Sequence, residues 1–365
     1  MRRAQARSVA VIGLAKNVGK TVTLRRLIAE AAAAHIPLGL TSLGYDGERV
    51  DRLTRLPKPR IYAPAGTVIA TAEGALRQAE ASLELLQVTD FSTALGGVVI
   101  ARVREAGAVE IAGPDTLQQM QAIISALQQA GSQLVLVDGA LDRVGTAAPR
   151  VTDATILATG ASLSNNPRRV LEKTLHTVAL LTAPAVPAAL RHAAETAFAA
   201  GKIAYWHPVA GLRPSTQTSL LGQATVILQE LGDASHLLIP GALTDSFLHA
   251  LLQSQRRLPG SQPDSPAQQS SSALPTLVVP DGTHVFASPE VWQRWRHQGG
   301  NLQVLHQVQL LAVTVNPTAP SGHSFPARQF AADIAQALHP LPVYDLFLDE
   351  ERPVLPAPAE EGVHA

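Results

Sequence analysis

Lys20 and Thr21 close a segment, residues 8–21, that reads Ser-Val-Ala-Val-Ile-Gly-Leu-Ala-Lys-Asn-Val-Gly-Lys-Thr. An ammonium and a hydroxyl placed side by side after a glycine suit a polyphosphate: Lys20 reaches the terminal phosphates and Thr21 offers an oxygen to Mg²⁺. The apolar run Val9–Ile12 predicts a buried strand. A helical pattern follows from Lys20 to about His35, so the loop between them ends at a helix N-terminus. There, backbone N–H groups and the helix dipole favour an anion. Gly13, Lys16, Asn17, Val18, Gly19, Lys20, Thr21 and Val22 are the expected nucleotide-binding residues. Five residues separate Gly13 from Gly19, one more than in the common phosphate loop. The plainer alternative is a glycine turn joining strand to helix. Lysine usage favours the phosphate reading: the chain has 5 Lys against 24 Arg, and two of the five, Lys16 and Lys20, lie in this loop.

Such a site needs carboxylates to organise the metal and water. Leu134-Val135-Leu136-Val137-Asp138-Gly139 supplies one at the end of an apolar strand, where ligands of open α/β sheets sit. Asp138 is therefore expected beside Thr21; a turn carboxylate is the alternative. Asp46, in Ser42-Leu43-Gly44-Tyr45-Asp46-Gly47-Glu48, is the second candidate, as a Mg²⁺-organising group or the residue that orients the attacking water, with Glu48 in reserve. The assignment is thus Lys20, Asp46 and Asp138 for catalysis, and Thr21, Asp46 and Asp138 for the metal. Residues 139–149 have the size of a switch loop, with Asp142 and Arg143 as switch charges or members of a solvated turn. Asn316, in Val-Asn-Pro-Thr-Ala-Pro-Ser-Gly after a strand, could read a nucleobase, although Asn-Pro and Ser-Gly also make ordinary turns. Asp281 and His284 could bind a second ligand or form a helix-approach loop.

The elements that must position these residues alternate. Strands are expected near Val9–Ile12, Leu38–Ser42, Gly97–Arg102, Gln133–Val137 and Ala154–Thr159, with helices at Lys20–His35, Ala75–Leu86, Thr116–Ala130 and Pro167–Leu180. A hairpin over Val98–Ala112 is expected to turn at Glu105-Ala106-Gly107. The pattern predicts an α/β fold with a mostly parallel sheet and helices on both faces. A nucleotide-binding domain is expected over 1–160 and a second α/β lobe over 161–349. Within that lobe, 258–275 is rich in Pro, Ser and Gln and reads as a flexible loop. The acidic, proline-rich 350–365 reads as a disordered tail.

The chain of 365 residues is 46% hydrophobic, enough for a substantial core, with formal net charge +0 and 4% aromatics. That balance argues against nucleic-acid binding. With no cysteine there is no disulfide, thiolate metal site or cysteine nucleophile. The histidines show no metal-ligand spacing. No apolar run approaches a membrane span, and the N-terminal apolar stretch is too short for a signal-peptide core, so a cytoplasmic protein away from membranes is expected.

Gly-Leu-Ala-Lys-Asn-Val-Gly-Lys-Thr resembles the five-spaced phosphate loop of the dethiobiotin synthetases and cobyrinic acid amide synthases, members of the P-loop NTPase class. Val-Asp-Gly-Ala-Leu resembles their acid–glycine switch segment. The resemblance covers about the first 160 residues and implies ATP and Mg²⁺ as ligands, on Lys20, Thr21 and Asp138, with Asp46 matching the acid after the second strand. Two departures matter. Thr41-Ser42-Leu43 stands where the synthetases carry a substrate-facing Lys-Pro, and the absence of cysteine removes the glutaminase nucleophile of the amidotransferases. Over more of the chain, the loop together with Val-Asp-Gly-Ala-Leu-Asp-Arg, Leu-Ala-Thr-Gly-Ala-Ser and Val-Asn-Pro-Thr-Ala-Pro-Ser-Gly resembles the ATP-binding reactivase subunit of adenosylcobalamin-dependent lysine aminomutases. This likeness implies an ATPase that drives cofactor exchange on a lysine or ornithine aminomutase, with that mutase and a second reactivase subunit as partners. A homodimer is a further expected assembly. The alternatives are a ligase of the dethiobiotin-synthetase type and a nucleotide switch that does not hydrolyse.

Overall fold

Leu134 and Leu136 pack with Leu24 and Ile28, while Val135 and Val137 pack with Met120, Ile123 and Leu127. A strand whose two faces both meet helices must be apolar throughout, and this is why Leu134–Val137 shows no alternation. The structure, a computed structural model, describes residues 6–43, 60–139, 147–256 and 274–346. It divides into two compact units, one of residues 1–175 and 309–365, the other His176–Val308.

The first stretch of chain runs β1 (Ser8–Gly13), α1 (Lys20–Ala33), β2 (Leu38–Ser42), β3 (Ile61–Ala63), β4 (Val68–Ala72), α2 (Glu73–Leu76), β5 (Ser82–Thr93), β6 (Gly96–Glu105), β7 (Gly107–Val109), α3 (Leu117–Gln129), β8 (Leu134–Asp138), β9 (Ala154–Gly160) and α4 (Pro167–Leu181). The second unit adds α5 (Ala188–Ala199), β10 (Ala204–His207), β11 (Gly211–Pro214), α6 (Ala224–Leu231), β12 (His236–Leu238), β13 (Leu243–Thr244), α7 (Asp245–Arg256), β14 (Thr276–Val279), β15 (Val285–Phe286), α8 (Pro289–His297) and β16 (Asn301–Val304). The chain then returns to the first unit with β17 (Leu310–Asn316), α9 (Ala327–Leu338) and β18 (Val343–Asp345).

The large sheet has the order β18-β17-β9-β1-β8-β2-β4-β6-β5. It is parallel from β18 to β4. Its last two pairings, β4–β6 and β6–β5, are antiparallel. The fold is therefore α/β with helices on both sides of a mixed sheet. β1 lies between β8 and β9, so the end of β1 opens at the middle of the parallel region. In the second unit β12, β14 and β16 are parallel, and β10 joins β12 and β11 antiparallel. Its core gathers Tyr205, Phe247, Leu277, Trp295 and Leu302. Among the described residues no helix is long and apolar enough to cross a membrane.

Three expectations change. The boundary expected after residue 160 falls after Leu175, and the lobe expected to run to 349 ends at Val308. The cause is β17, which pairs with β9 over Leu310–Asn316 and takes α9 and β18 into the first sheet. The helix expected over Ala75–Leu86 is the short α2 followed by β5. Leu83, Leu85, Leu86 and Val88 satisfy either period, and the β-branched and aromatic residues that follow favour the extended form. The hairpin turns between Thr93 and Gly96, and the segment after Glu105 pairs with β3 instead. Residues 258–273 and 350–365 lie outside the described residues.

Leu136 is fully buried between α1 and the central strands. Leu136→Ala should destabilise the first unit by about 2–5 kcal/mol, the range for a leucine truncated in a packed core. The shift of the urea midpoint checks this.

Candidate functional site

β1 ends at Gly13 with Val9, Val11 and Ala10 buried between two parallel neighbours. The chain then turns through residues 14–19 into α1. Two left-handed residues make the turn, Asn17 at φ 60° and Gly19 at φ 99°. Asparagine tolerates that region and glycine adopts it without strain. Gly19 is the N-cap of α1, and no side chain caps the helix. The amides of the first turn have no carbonyl of their own helix to bond. Gly13 is required for a different reason: a Cβ there would stand 2.8 Å from Lys20 Cγ and Cδ and from Val18 Cγ2. The Lys20 stem therefore lies folded across the start of the loop.

From this position Lys20 Nζ donates to the carbonyl of Gly139 at 2.8 Å. Gly139 follows Asp138, the last residue of β8, and its own N–H donates to Val11 O. Asp138 Oδ1 is buried and without a hydrogen-bond partner. Burial pushes the Asp138 carboxyl above the usual carboxylate range, and the Lys20 charge opposes that rise. A buried oxygen beside an ammonium is a group that a cation or a water would satisfy. Lys20 thus reaches the end of β8 beside Asp138, and Thr21 is the second residue of α1.

The loop is tied down by two side chains from the far side of β1, a link that residue type and spacing do not foretell. Asn17 O accepts from Ser162 Oγ at 3.2 Å and from Asn316 Nδ2 at 3.0 Å. Ser162 lies just after β9 and Asn316 ends β17. Asn316 Oδ1 accepts from Thr318 N, so the carboxamide joins the loop to the turn that follows β17. Asn316, the candidate nucleobase reader, bonds the protein's own backbone through both atoms of its carboxamide. Close approach is enforced at Gly160, where a Cβ would stand 2.3 Å from Asn316 O. One turn into α1, Thr23 Oγ1 bonds both Gly19 O and Thr314 Oγ1. Those two threonines also line a cavity of about 390 Å³ on the flank of α1, with Leu27, Leu311 and Tyr344 among its walls.

Asp46, Glu48, Asp142 and Arg143 lie outside the described residues. Asp281 accepts from Thr283 N–H and hydroxyl and pairs with His284 Nδ1, forming the N-cap of a short 3-10 turn, as the helix-approach reading predicts. Among the described residues no group of three His, Cys, Asp or Glu could hold a metal ion on its own. A metal at Asp138 therefore needs oxygens from a ligand or from water.

No family profile, characterised protein or solved structure matches this chain.

Two outcomes follow from the geometry. Asn316→Ala removes one of the two side chains that hold Asn17 O, so amide exchange over residues 14–21 should accelerate while exchange in β8 stays unchanged. Hydrogen-exchange mass spectrometry reads both. The raised Asp138 pKa means that the folded state binds the proton more tightly than the unfolded chain. Stability is then lost as pH rises from the ordinary carboxylate range through the raised value. Asp138→Asn should raise the thermal midpoint at neutral pH, and the gain should vanish in acid.

Proposed function

We propose that this chain is a magnesium-dependent ATPase whose nucleotide sits at the carboxyl edge of the large sheet, over residues 13–22. The observation that carries the reading is Lys20, folded across Gly13 onto the carbonyl of Gly139, next to Asp138, whose buried Oδ1 lacks a hydrogen-bond partner. A catalytic carboxylate kept at a cost in stability is better explained by a ligand than by packing. The absence of an Asn-Lys-x-Asp guanine signature favours adenine.

In this reading the first-turn amides of α1 and the ammonium of Lys20 bind the phosphate oxygens and stabilise charge that grows on them during transfer. Thr21 and Asp138 are the groups that would hold Mg²⁺, with Asp46 as the further acid. Magnesium, when bound, offsets charge on the β- and γ-phosphate oxygens. Asp46 or Asp138 orders the attacking water. Water oxygen bonds to the γ-phosphorus, the bridging P–O bond to the β-phosphate breaks, and ADP and phosphate leave with the water proton passing to solvent or phosphate. The client is the part of the proposal that rests on resemblance: an adenosylcobalamin-dependent lysine or ornithine aminomutase, relieved of damaged cofactor with the help of a second reactivase subunit.

Wild-type protein should release phosphate from Mg-ATP slowly, and faster with aminomutase and cobalamin present. Lys20→Ala should lower turnover by about 10²–10³-fold, the loss typical of a removed electrostatic stabiliser. No calorimetric heat with Mg-ATP at millimolar ligand would overturn the nucleotide site. Turnover that ignores the mutase but requires a small carboxylate or amine would replace the client with a ligase substrate, and binding without turnover would leave a switch.

A further inference from the structure

β5 is the last strand of the large sheet, and its outer side has no partner strand among the described residues. Edge strands are ordinarily short, or guarded by lysine or proline, because an open row of N–H and C=O groups invites another strand. β5 has twelve residues, Ser-Leu-Glu-Leu-Leu-Gln-Val-Thr-Asp-Phe-Ser-Thr, with neither lysine nor proline. It also exposes apolar side chains: Leu85 is 55% exposed, Leu86 38% and Val88 61%.

The register with β6 shows how these side chains are arranged. Leu85 lies opposite Ala101, Gln87 opposite Ile100 and Val88 opposite Val99. Leu86 is the extra residue of a bulge. In a regular strand residues 85 and 88 would point to opposite faces. The bulge sets both on the face of Val99 and Ala101, two residues apart on β6. Bulges often blunt an edge; this one gathers two exposed apolar side chains on one side of it.

We propose that β5 is a homodimer interface, in which a second copy adds its own β5 antiparallel across a two-fold axis between Leu86 and Gln87. Leu85 of each copy then faces Val88 of the other, on one face, closing a four-residue apolar cluster over the new strand pair. Directly opposed residues share a face in antiparallel pairing, which this register satisfies. The faces select it. With the axis on Leu86, Leu85 would oppose Gln87, which lies on the Ile100 face and not on the Ala101 face; with the axis on Gln87, Val88 would oppose the bulged Leu86. A second irregularity, between Val88 and Ser92, limits the regular edge to the residues before Thr89. A self-complementary patch of this kind is what a two-fold interface requires. In the sheet order four strands separate β5 from β1, roughly 24 Å at the usual strand spacing, so the interface stands apart from the nucleotide loop and does not rest on the proposed ATPase.

The chain has no cysteine, which makes single-cysteine variants of the full-length protein clean probes. Leu86 of one copy is diagonal to Leu86 of the other, within the reach of about 4.4–6.8 Å between Cα atoms that a disulfide spans. Under mild oxidation Leu86→Cys should run as a covalent dimer on a non-reducing gel, while Thr93→Cys, far from its own mate in this register, should stay monomeric. Sedimentation should show wild-type dimer, and Leu85→Glu/Val88→Glu should weaken the dimer at least tenfold with the thermal midpoint kept. The proposal is overturned if the wild type is monomeric up to high micromolar concentration, if the double variant dimerises as well as the wild type, or if Thr93→Cys cross-links as readily as Leu86→Cys.

Discussion

Lys20 crosses Gly13 and ends on the carbonyl that follows Asp138, and the geometry of the carboxyl edge depends on that crossing. It joins the loop after β1 to the end of β8 through a side chain instead of through sheet hydrogen bonds. Its cost is visible in Asp138, whose carboxyl is raised by burial even with the ammonium nearby. A chain selected only for stability would place an asparagine or an apolar residue there. Retaining an acid with a buried, unpartnered oxygen makes sense where something arrives to share it.

The loop's own conformation needs help from far along the chain. Asn17 is held in a left-handed turn with its carbonyl turned toward two donors, one from just after β9 and one from the end of β17. Asn316 and Asn17 are 299 residues apart in sequence. The Ser162 contact is exposed, whereas the Asn316 contact is part-buried, and there Gly160 lets the β9 and β17 ends approach more closely than a Cβ would permit. Thr23 and Thr314 repeat the link one turn further into α1. The loop is therefore braced from β8 on one side and from β9 and β17 on the other, while no side chain caps its helix end.

What the sequence made legible was local. Val9–Ile12, the glycines and Gly-Lys-Thr specify strand, turn and helix within a few residues, and Asp138 ends an apolar run whose two buried faces leave little choice but a central strand. The anchoring role of Asn316 was not legible, because residue type and turn propensity say nothing about which loop a carboxamide will meet across the sheet. Ser162 sat within a segment noted only for its likeness to the aminomutase reactivases. The domain boundary failed for a related reason: β17 has the same apolar pattern as any strand of the second unit, and only pairing with β9 assigns it to the first. β5 departs from the expected helix because its leucines fit either spacing, and the residues that decide against a helix, Val88 to Thr93, come after them.

The placement of the second unit in the chain gives the bracing a further consequence. His176–Val308 is inserted between β9 and β17, so both of its covalent connections run through strands that hold Asn17. On the entering side the path goes from Gly160 past Ser162 into α4. On the leaving side it goes from Val308 into Leu310 and along β17 to Asn316. The carbonyl of Asn17 thus meets a donor from each of the two chain segments that flank the insertion, Ser162 after β9 and Asn316 at the end of β17.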